Sequence, residues 1–177
     1  MDAGFAGRAL RAARLDAHLF EEVENDPRAT VQAGGVVVLA AVAAGVGSGA
    51  RGFGEILLGT VAALVSWFVW AYLAYWIGTR LLPEPATRAN HGELLRAVGF
   101  ASAPGMLRVL GVIEPLRGLV FLVAGLWMLV ATVIAVRQAL DYESTWRALG
   151  VSATGWVVQA VLLATTLWLL GGPGRPT

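Results

Sequence analysis

The feature that most constrains this chain is a series of long apolar blocks without a charged residue. The strongest block runs from Ile56 to Thr79 and contains no Asp, Glu, Lys or Arg. A helix needs about 20 apolar residues to cross the hydrocarbon core of a bilayer. Charged residues make up only 14% of the 177 residues, against about 25% in soluble domains. The sequence therefore predicts an all-α integral membrane protein.

The other apolar blocks divide the chain into several predicted spans. They lie near 31–50, 94–113, 118–136 and 151–170, after a polar segment over 1–30 and before a short tail over 172–177. The block at 94–113 is ambiguous because it contains Arg96, Arg108, Pro104 and three glycines. It is predicted either to cross as a kinked helix or to form a re-entrant or interfacial segment. The apolar pattern alone leaves four or five spans.

The segment 1–30 has the pattern of an amphipathic helix. At about 100° per residue, apolar side chains that include Phe5 and Phe20 gather on one side, and arginines gather on the other. Asp16 is the one charge on the apolar arc. One interpretation places this helix in the membrane interface, with Phe5 and Phe20 dipping inward. The other is a solvated helix that packs on the protein's own cytoplasmic loops.

Two local patterns, a glycine pair and an aromatic cluster, each have two possible interpretations. Gly45 and Gly49 form a GxxxG pair, which is typical of close helix contacts, either within one bundle or between copies in a homo-oligomer. Aromatic residues crowd the second half of the 56–79 block, where Trp70 and Trp76 predict an aromatic belt at the membrane interface. A dedicated aromatic ligand site is the alternative for the same residues.

The residue types for catalysis or metal binding are sparse. The chain has no cysteine and two histidines, and both histidines lie in polar segments. No zinc-ligand spacing, phosphate-binding glycine loop or nucleophile motif is present. The sequence therefore predicts no enzyme, no catalytic residue, no cofactor and no metal. The net charge of +1 gives no indication of a nucleic-acid partner.

Polar groups inside the apolar blocks are the candidates for a functional site, because they are costly in lipid. The predicted site comprises Ser102, Pro104, Arg108 and Gln159, with Ser66 and Thr132 as further polar positions. Pro104 would break a helix and free backbone carbonyls. The alternative is that Arg108 extends to the nearby interface and that the neutral groups bond to neighbouring helices.

A resemblance to a known family rests on the order of several motifs. An aromatic span ends in Ile77-Gly78-Thr79, and a proline-containing loop follows. Next come Leu94-Leu95-Arg96 and Val98-Gly99-Phe100-Ala101-Ser102-Ala103-Pro104, then the Glu114-Pro115 break. A further span leads to Ala135-Val136-Arg137-Gln138-Ala139-Leu140. This order resembles the Yip1-domain family, especially its bacterial members. The resemblance implies about five transmembrane helices, preceded here by the amphipathic helix, and a cytoplasmic amino terminus. In eukaryotic relatives it implies vesicle traffic and association with Rab GTPases.

The distribution of arginine agrees with that orientation. With five spans and the amino terminus inside, nine of the thirteen arginines lie on the cytoplasmic side, as the positive-inside rule expects. A four-span chain satisfies the rule as well, so the resemblance decides for five. We expect a bacterial inner-membrane scaffold or adaptor that contacts lipid and an unidentified membrane or cytoplasmic protein. The alternative is a small transporter or lipid-handling protein with a polar site around Pro104 and Arg108.

Overall fold

The computed structural model describes residues 4–171, in which all regular secondary structure is helical and no strand occurs. Residues 1–3 and the predicted tail 172–177 lie outside the described residues. The helices are α1 (Phe5–Ala13), α2 (Ala17–Glu24), α3 (Ala29–Ser48), α4 (Phe53–Trp76), α5 (His91–Ala101), α6 (Arg117–Ala139) and α7 (Thr145–Gly171). A π turn at Ile77–Leu81 extends α4, and 3₁₀ helices occupy Ala103–Val112 and Glu114–Leu116.

The surface of the bundle is apolar, and its interior is made of small residues. Leu58 and Leu119 are among many large apolar side chains that are more than half exposed. Alanine is the most frequent buried residue, as at Ala33, Ala74 and Ala131. Small residues inside and large apolar residues outside are the arrangement expected in lipid. By length and composition, three helical stretches among the described residues could cross a membrane: 29–48, 53–81 and 114–139.

The amphipathic segment consists of two helices rather than one. The chain turns between α1 and α2, where Leu15 adopts a φ of 62°. Asp16 then caps α2, because its side chain accepts a hydrogen bond from the backbone N–H of His18. Asp16, the one charge on the apolar arc of a continuous helix, is therefore the residue that starts α2.

Protein, rather than lipid, covers much of the apolar face of these two helices. Phe20 is fully buried, and α2 packs between α5 and α6. The prediction that Phe20 dips into the membrane interface is thus corrected, because no part of its ring remains accessible. Phe5 is half-buried against Gly35 of α3, and its lipid contact stays a prediction.

The ambiguous block at 94–113 changes its helix type at the proline. An Asn90–Glu93 capping box starts α5. Pro104, which has no N–H to donate, lies in the first turn of the 3₁₀ helix that follows. We call Ala103–Val112 the 3₁₀ segment. It packs along α3 and α6.

Three glycines let α5 and the 3₁₀ segment approach α3 at three successive levels: Gly99 of α5 and Gly105 and Gly111 of the 3₁₀ segment. A methyl group added at Gly99 would come 2.7 Å from Ala33, and one at Gly105 would come 3.2 Å from Ala40. One at Gly111 would come 2.7 Å from the carbonyl oxygen of Gly47. The α3 residues are seven apart and the glycines six apart. Seven residues are about two α turns, which keeps the α3 row on one face. The six residues from Gly105 to Gly111 are two 3₁₀ turns, which keeps these two glycines on one face as well.

The predicted GxxxG contact is only partly realised. Gly45 packs on Ile56 of the same chain, where an added methyl group would come 3.1 Å from its side chain. Gly49 ends α3 in the left-handed conformation, with a φ of 81°, where glycine is favoured. The closest approach occurs at Gly47, where a methyl group would overlap the carbonyl oxygen of Arg108.

Candidate functional site

A cavity of about 630 Å³ lies between α3, α4, α5, the 3₁₀ segment, α6 and α7. We call it the central cavity. Along α3 its wall runs from Val37 to Ser48, about 16 Å of helix axis. Its volume lies within the range of small-molecule binding sites. Three of the four residues of the predicted polar site, Ser102, Arg108 and Gln159, line it, together with Ser66.

The polar groups of the central cavity lie at its two ends. Ser48, Glu55 and Arg108 line the end where α3 finishes and α4 starts. Ser66, Ser102, Gln159 and three tryptophans line the opposite part: Trp67, Trp70 and Trp156. Between them the wall is built mainly from alanine and glycine residues, together with Met128. Six residues of 3₁₀ helix place Ser102 and Arg108 about 12 Å apart, so the two do not form one compact site.

Two donors on the wall have no partner among the described residues. The Nε atom of Arg108 is buried without an acceptor, and so is the indole Nε1 of Trp70. The Arg108 guanidinium carbon lies 5.6 Å from the centre of the Phe121 ring, a cation–π distance. No described carboxylate forms an ion pair with Arg108. Buried donors without acceptors are costly, so an oxygen acceptor bound beside either donor would be stabilising.

Pro104 does not line the central cavity. It is fully buried and borders a second, apolar space of about 590 Å³ beneath α1, together with Leu39, Met106 and Trp127. Its role in the structure is to begin the 3₁₀ segment. The prediction of a joint Pro104–Arg108 site is therefore corrected: the two residues face different spaces.

The aromatic residues of α4 have separate roles. Trp67 donates its indole N–H to the carbonyl oxygen of Leu95 at 2.9 Å. Trp70 is 5% exposed and packs on Gly155 of α7, so its predicted place in an interfacial belt is corrected. Trp76 is 47% exposed, and its membrane contact stays a prediction.

Three further aromatic residues of α4 surround a histidine. The ring of His91 lies edge-on to Phe68, Tyr72 and Tyr75, with centroid distances of 5.1, 5.6 and 6.4 Å. Neither ring nitrogen has a hydrogen-bond partner among the described residues.

A second structured region covers the end of the bundle where the chain begins. We call it the cap; it consists of α1, α2 and the loops 82–90 and 140–144. The buried Arg8 pairs with Glu22 and with Asp26, each at 2.9 Å. Arg11 pairs with Asp16 at 2.7 Å and with Glu22 at 2.6 Å. These pairs connect α1 to α2 and to the chain that enters α3.

Further bonds join the cap to the helices below it. Arg96 of α5 donates to the carbonyl oxygens of Val23 and Glu24 at the end of α2. The hydroxyl of Tyr142 lies 2.9 Å from the carbonyl oxygen of Gly78 and 2.7 Å from that of Leu82. Its single O–H can donate to one of these carbonyls at a time, and it ties the loop after α6 to the end of the π turn. The cap is a preorganised polar surface.

The cap contains an acidic concavity of about 500 Å³. Its wall carries four carboxylates, one arginine and three uncharged polar residues: Glu21, Glu24, Asp141, Glu143, Arg137, Asn25, Gln138 and Tyr142. Among the described residues, no three His, Asp or Glu side chains are grouped so that they could hold a metal ion. The concavity can therefore offer acceptors to a cationic surface.

Comparison with known proteins agrees with the resemblance read from the motifs. A sequence model of the Yip1 domain matches residues 19–167. The chain belongs to the Yip1 domain family. Its membrane location follows from this membership together with the apolar helices. No curated protein and no solved structure matches the chain.

The matched region of this Yip1 protein includes residues that sequence patterns did not single out. Gly155, on which Trp70 packs, and the carbonyl groups that accept from Arg96 lie far along the chain from their partners. The glycines at 99, 105 and 111 were visible as a six-residue spacing, which indicates 3₁₀ geometry beside a row of small residues. Glu24 has no distinguishing sequence pattern, and its Oε2 is buried without a partner among the described residues.

We expect the stability of this Yip1 protein to depend on pH through Glu24. Burial, followed by the charges of Asp141, Glu93 and Glu21, raises its pKa from 4.5 to about 7. A carboxyl with a raised pKa in the folded state destabilises the fold once the unfolded state ionises. The contribution of Glu24 to stability is thus highest below about pH 4.5 and falls until about pH 7. Because solvent screens this partly exposed group, we expect a loss of roughly 1–2 kcal/mol.

Glu24→Gln should therefore raise the thermal midpoint in detergent by several degrees at pH 8 and have little effect at pH 5. The matched control is Glu114→Gln, because Glu114 is an exposed carboxylate outside the cap. The pKa values of Asp16, Glu22 and Asp26 are lowered by their arginine partners. Their stabilisation is lost only in more acidic solution, and the two histidines are common to both proteins. The difference between variant and wild type across pH 5–8 therefore reports Glu24. An equal shift at both pH values would contradict the assignment.

Proposed function

We propose that this Yip1-family protein crosses the bacterial inner membrane five times with its amino terminus in the cytoplasm. The path of α5 and the 3₁₀ segment supports this count, because it meets α3 from Ala33 to Gly47 and so covers the depth that α3 covers. The length of α7, Thr145–Gly171, supports a further span. The positive-inside count supports the orientation.

We further propose that the protein acts as a membrane scaffold or adaptor rather than as an enzyme. The cap is the observation that carries this proposal. Ion pairs at 2.6–2.9 Å join α1 to α2 and to the chain that enters α3. The bonds from Arg96 and the burial of Phe20 hold α2 on the bundle. A fixed surface loses less entropy on binding than a mobile one. Its acidic concavity suits a basic segment of a membrane or cytoplasmic protein.

Site-specific photo-crosslinking in cells tests the adaptor role. A photoreactive residue at Asn25, which lines the acidic concavity, should yield a discrete crosslinked protein. The double variant Asp141→Lys, Glu143→Lys should reduce that product at least tenfold, because it reverses two charges on the concavity wall. A photoreactive residue at the exposed Ser48, at the other end of the bundle, is the control. Equal products at both sites would refute a partner specific to the cap.

The central cavity supports a second candidate function, which is the handling of a lipid or another amphiphile. Its apolar middle and polar ends match a molecule of the same build, and its volume of about 630 Å³ provides room for one. The same chain can serve both functions, since the cap and the central cavity occupy different parts of the structure.

A further inference from the structure

The geometry points to an anionic amphiphile as the occupant of the central cavity, with its acidic headgroup on Arg108 and its chain along the apolar wall of α3 and α4. This inference rests on the second candidate function and adds to it the chemical class and the orientation of the ligand.

The charge argument concerns Arg108. Its guanidinium is half-buried, and its Nε has no acceptor among the described residues. The carboxylate of Glu55 also lines the cavity, but Glu55 is exposed and forms no ion pair with Arg108 among the contacts described. An uncompensated guanidinium in a low-dielectric site favours an anion. Carboxylate and phosphate oxygens match the fork of N–H donors that a guanidinium presents.

The shape argument concerns the wall between the two ends. About 630 Å³ spread over about 16 Å of helix axis gives a mean cross-section of roughly 40 Å², so the space is long and narrow. The small side chains of Ala40, Ala44, Gly59 and Ala63 line it. A compact anion such as phosphate would leave this apolar length empty, whereas an alkyl chain would fill it.

The second unmatched donor lies at the far end. Trp70 is 5% exposed, and its Nε1 atom has no acceptor among the described residues. Ser66, Ser102 and Gln159 line the same part of the cavity. With Arg108 at one end and Trp70 at the other, both donors need acceptors that the described protein atoms do not supply. The acidic headgroup would supply the acceptors at Arg108, and water beside Ser66, Ser102 and Gln159 would supply the acceptor at Trp70.

Fluorescence quenching of the full-length protein in neutral detergent tests this inference. The anionic probe is a stearate brominated in mid-chain, and the neutral probe is the corresponding brominated alcohol. Because bromine quenches tryptophan on contact, a chain in the cavity should quench the tryptophans that line it. We expect saturable quenching by the anionic probe, weakened at least tenfold in Arg108→Leu, with binding of the alcohol unchanged.

Two variants keep the test interpretable. Arg51→Leu removes an exposed arginine outside the cavity and should leave the binding of both probes unchanged. Ala63→Phe narrows the apolar wall without touching Arg108 and should weaken both probes. It also covers the case in which Arg108→Leu folds poorly, which the thermal midpoint of each variant would reveal.

The other outcomes separate the inference from the function on which it rests. Equal binding of both probes to the wild type and to Arg108→Leu would retain amphiphile binding and overturn the anionic headgroup. Displacement of the stearate by millimolar inorganic phosphate would overturn the role of the chain. A brominated phosphatidic acid that binds more tightly than the stearate would identify a membrane lipid, rather than a free fatty acid, as the source. Absence of saturable quenching by either probe would overturn both proposals.

Discussion

Gly47→Ala is expected to remove most of the folded protein. A Cβ at this position would overlap the carbonyl oxygen of Arg108 and would lie 3.4 Å from the Phe121 ring. A clash with a side chain can be relieved by rotation, but a clash with a backbone carbonyl requires the 3₁₀ segment to move. Overpacking of a core costs about 1–3 kcal/mol, and we expect this change to cost at least 3 kcal/mol.

Two other glycines provide the matched series. Gly45→Ala places its methyl group 3.1 Å from the Ile56 side chain, which can shift by a few tenths of an ångström, so a mild effect is expected. At Gly125 of α6 a methyl group has no described atom within 4 Å, and alanine there should be neutral or slightly stabilising. The monodisperse yield and the thermal midpoint in detergent should thus fall in the order Gly125→Ala, Gly45→Ala, Gly47→Ala. A Gly47→Ala protein as stable as Gly125→Ala would show that the segment does not contact α3 in this way.

The glycines of α3 show which part of the fold could be predicted from the sequence. The helices α3, α4 and α6 lie close to the predicted spans because uncharged apolar length is a local property. The GxxxG rule pointed to Gly45 and Gly49, whereas the closest contact is at Gly47. That contact is set by the partner of α3, which is a 3₁₀ segment and not a second α-helix. Pattern rules for pairs of α-helices do not describe it.

The candidate site was foreseen as a set of residues but not as a geometry. Ser102, Arg108 and Gln159 were selected because polar groups are costly in lipid, and all three line one cavity. Pro104 was selected for its effect on the helix, and that effect turns its side chain toward a different space. The burial of Trp70 depends on Gly155, which lies 85 positions later in the chain. A pattern within α4 could not reveal it.

The topology gives the largest contrast of any measurement on this chain, because each site is either labelled or protected. The sequence has no cysteine, so a single introduced cysteine reports its own side of the membrane. With five spans, an impermeant thiol reagent outside intact cells should label Ser48→Cys and Gly174→Cys, the latter outside the described residues. Ala86→Cys and Ser144→Cys should stay protected until the membrane is opened. Ala86 is exposed in its loop, so its protection would reflect the membrane and not the fold.

The result depends on the segment between His91 and Val112. If it did not cross, Ser48 and Ala86 would keep their sides, but Ser144→Cys would be labelled and Gly174→Cys protected. Eleven residues of α5 and ten of 3₁₀ helix extend about 36 Å in total, which exceeds the hydrocarbon thickness of about 30 Å. A 3₁₀ helix rises further per residue than an α-helix, so the proline break lengthens the segment while its backbone groups stay paired.

The two arginines lie toward opposite ends of this path. Arg96 donates to carbonyl oxygens of the cap, and Arg108 lies beside Gly47 near the far end of α3. Neither charge then has to occupy the centre of the bilayer, which is the position where crossing would cost most.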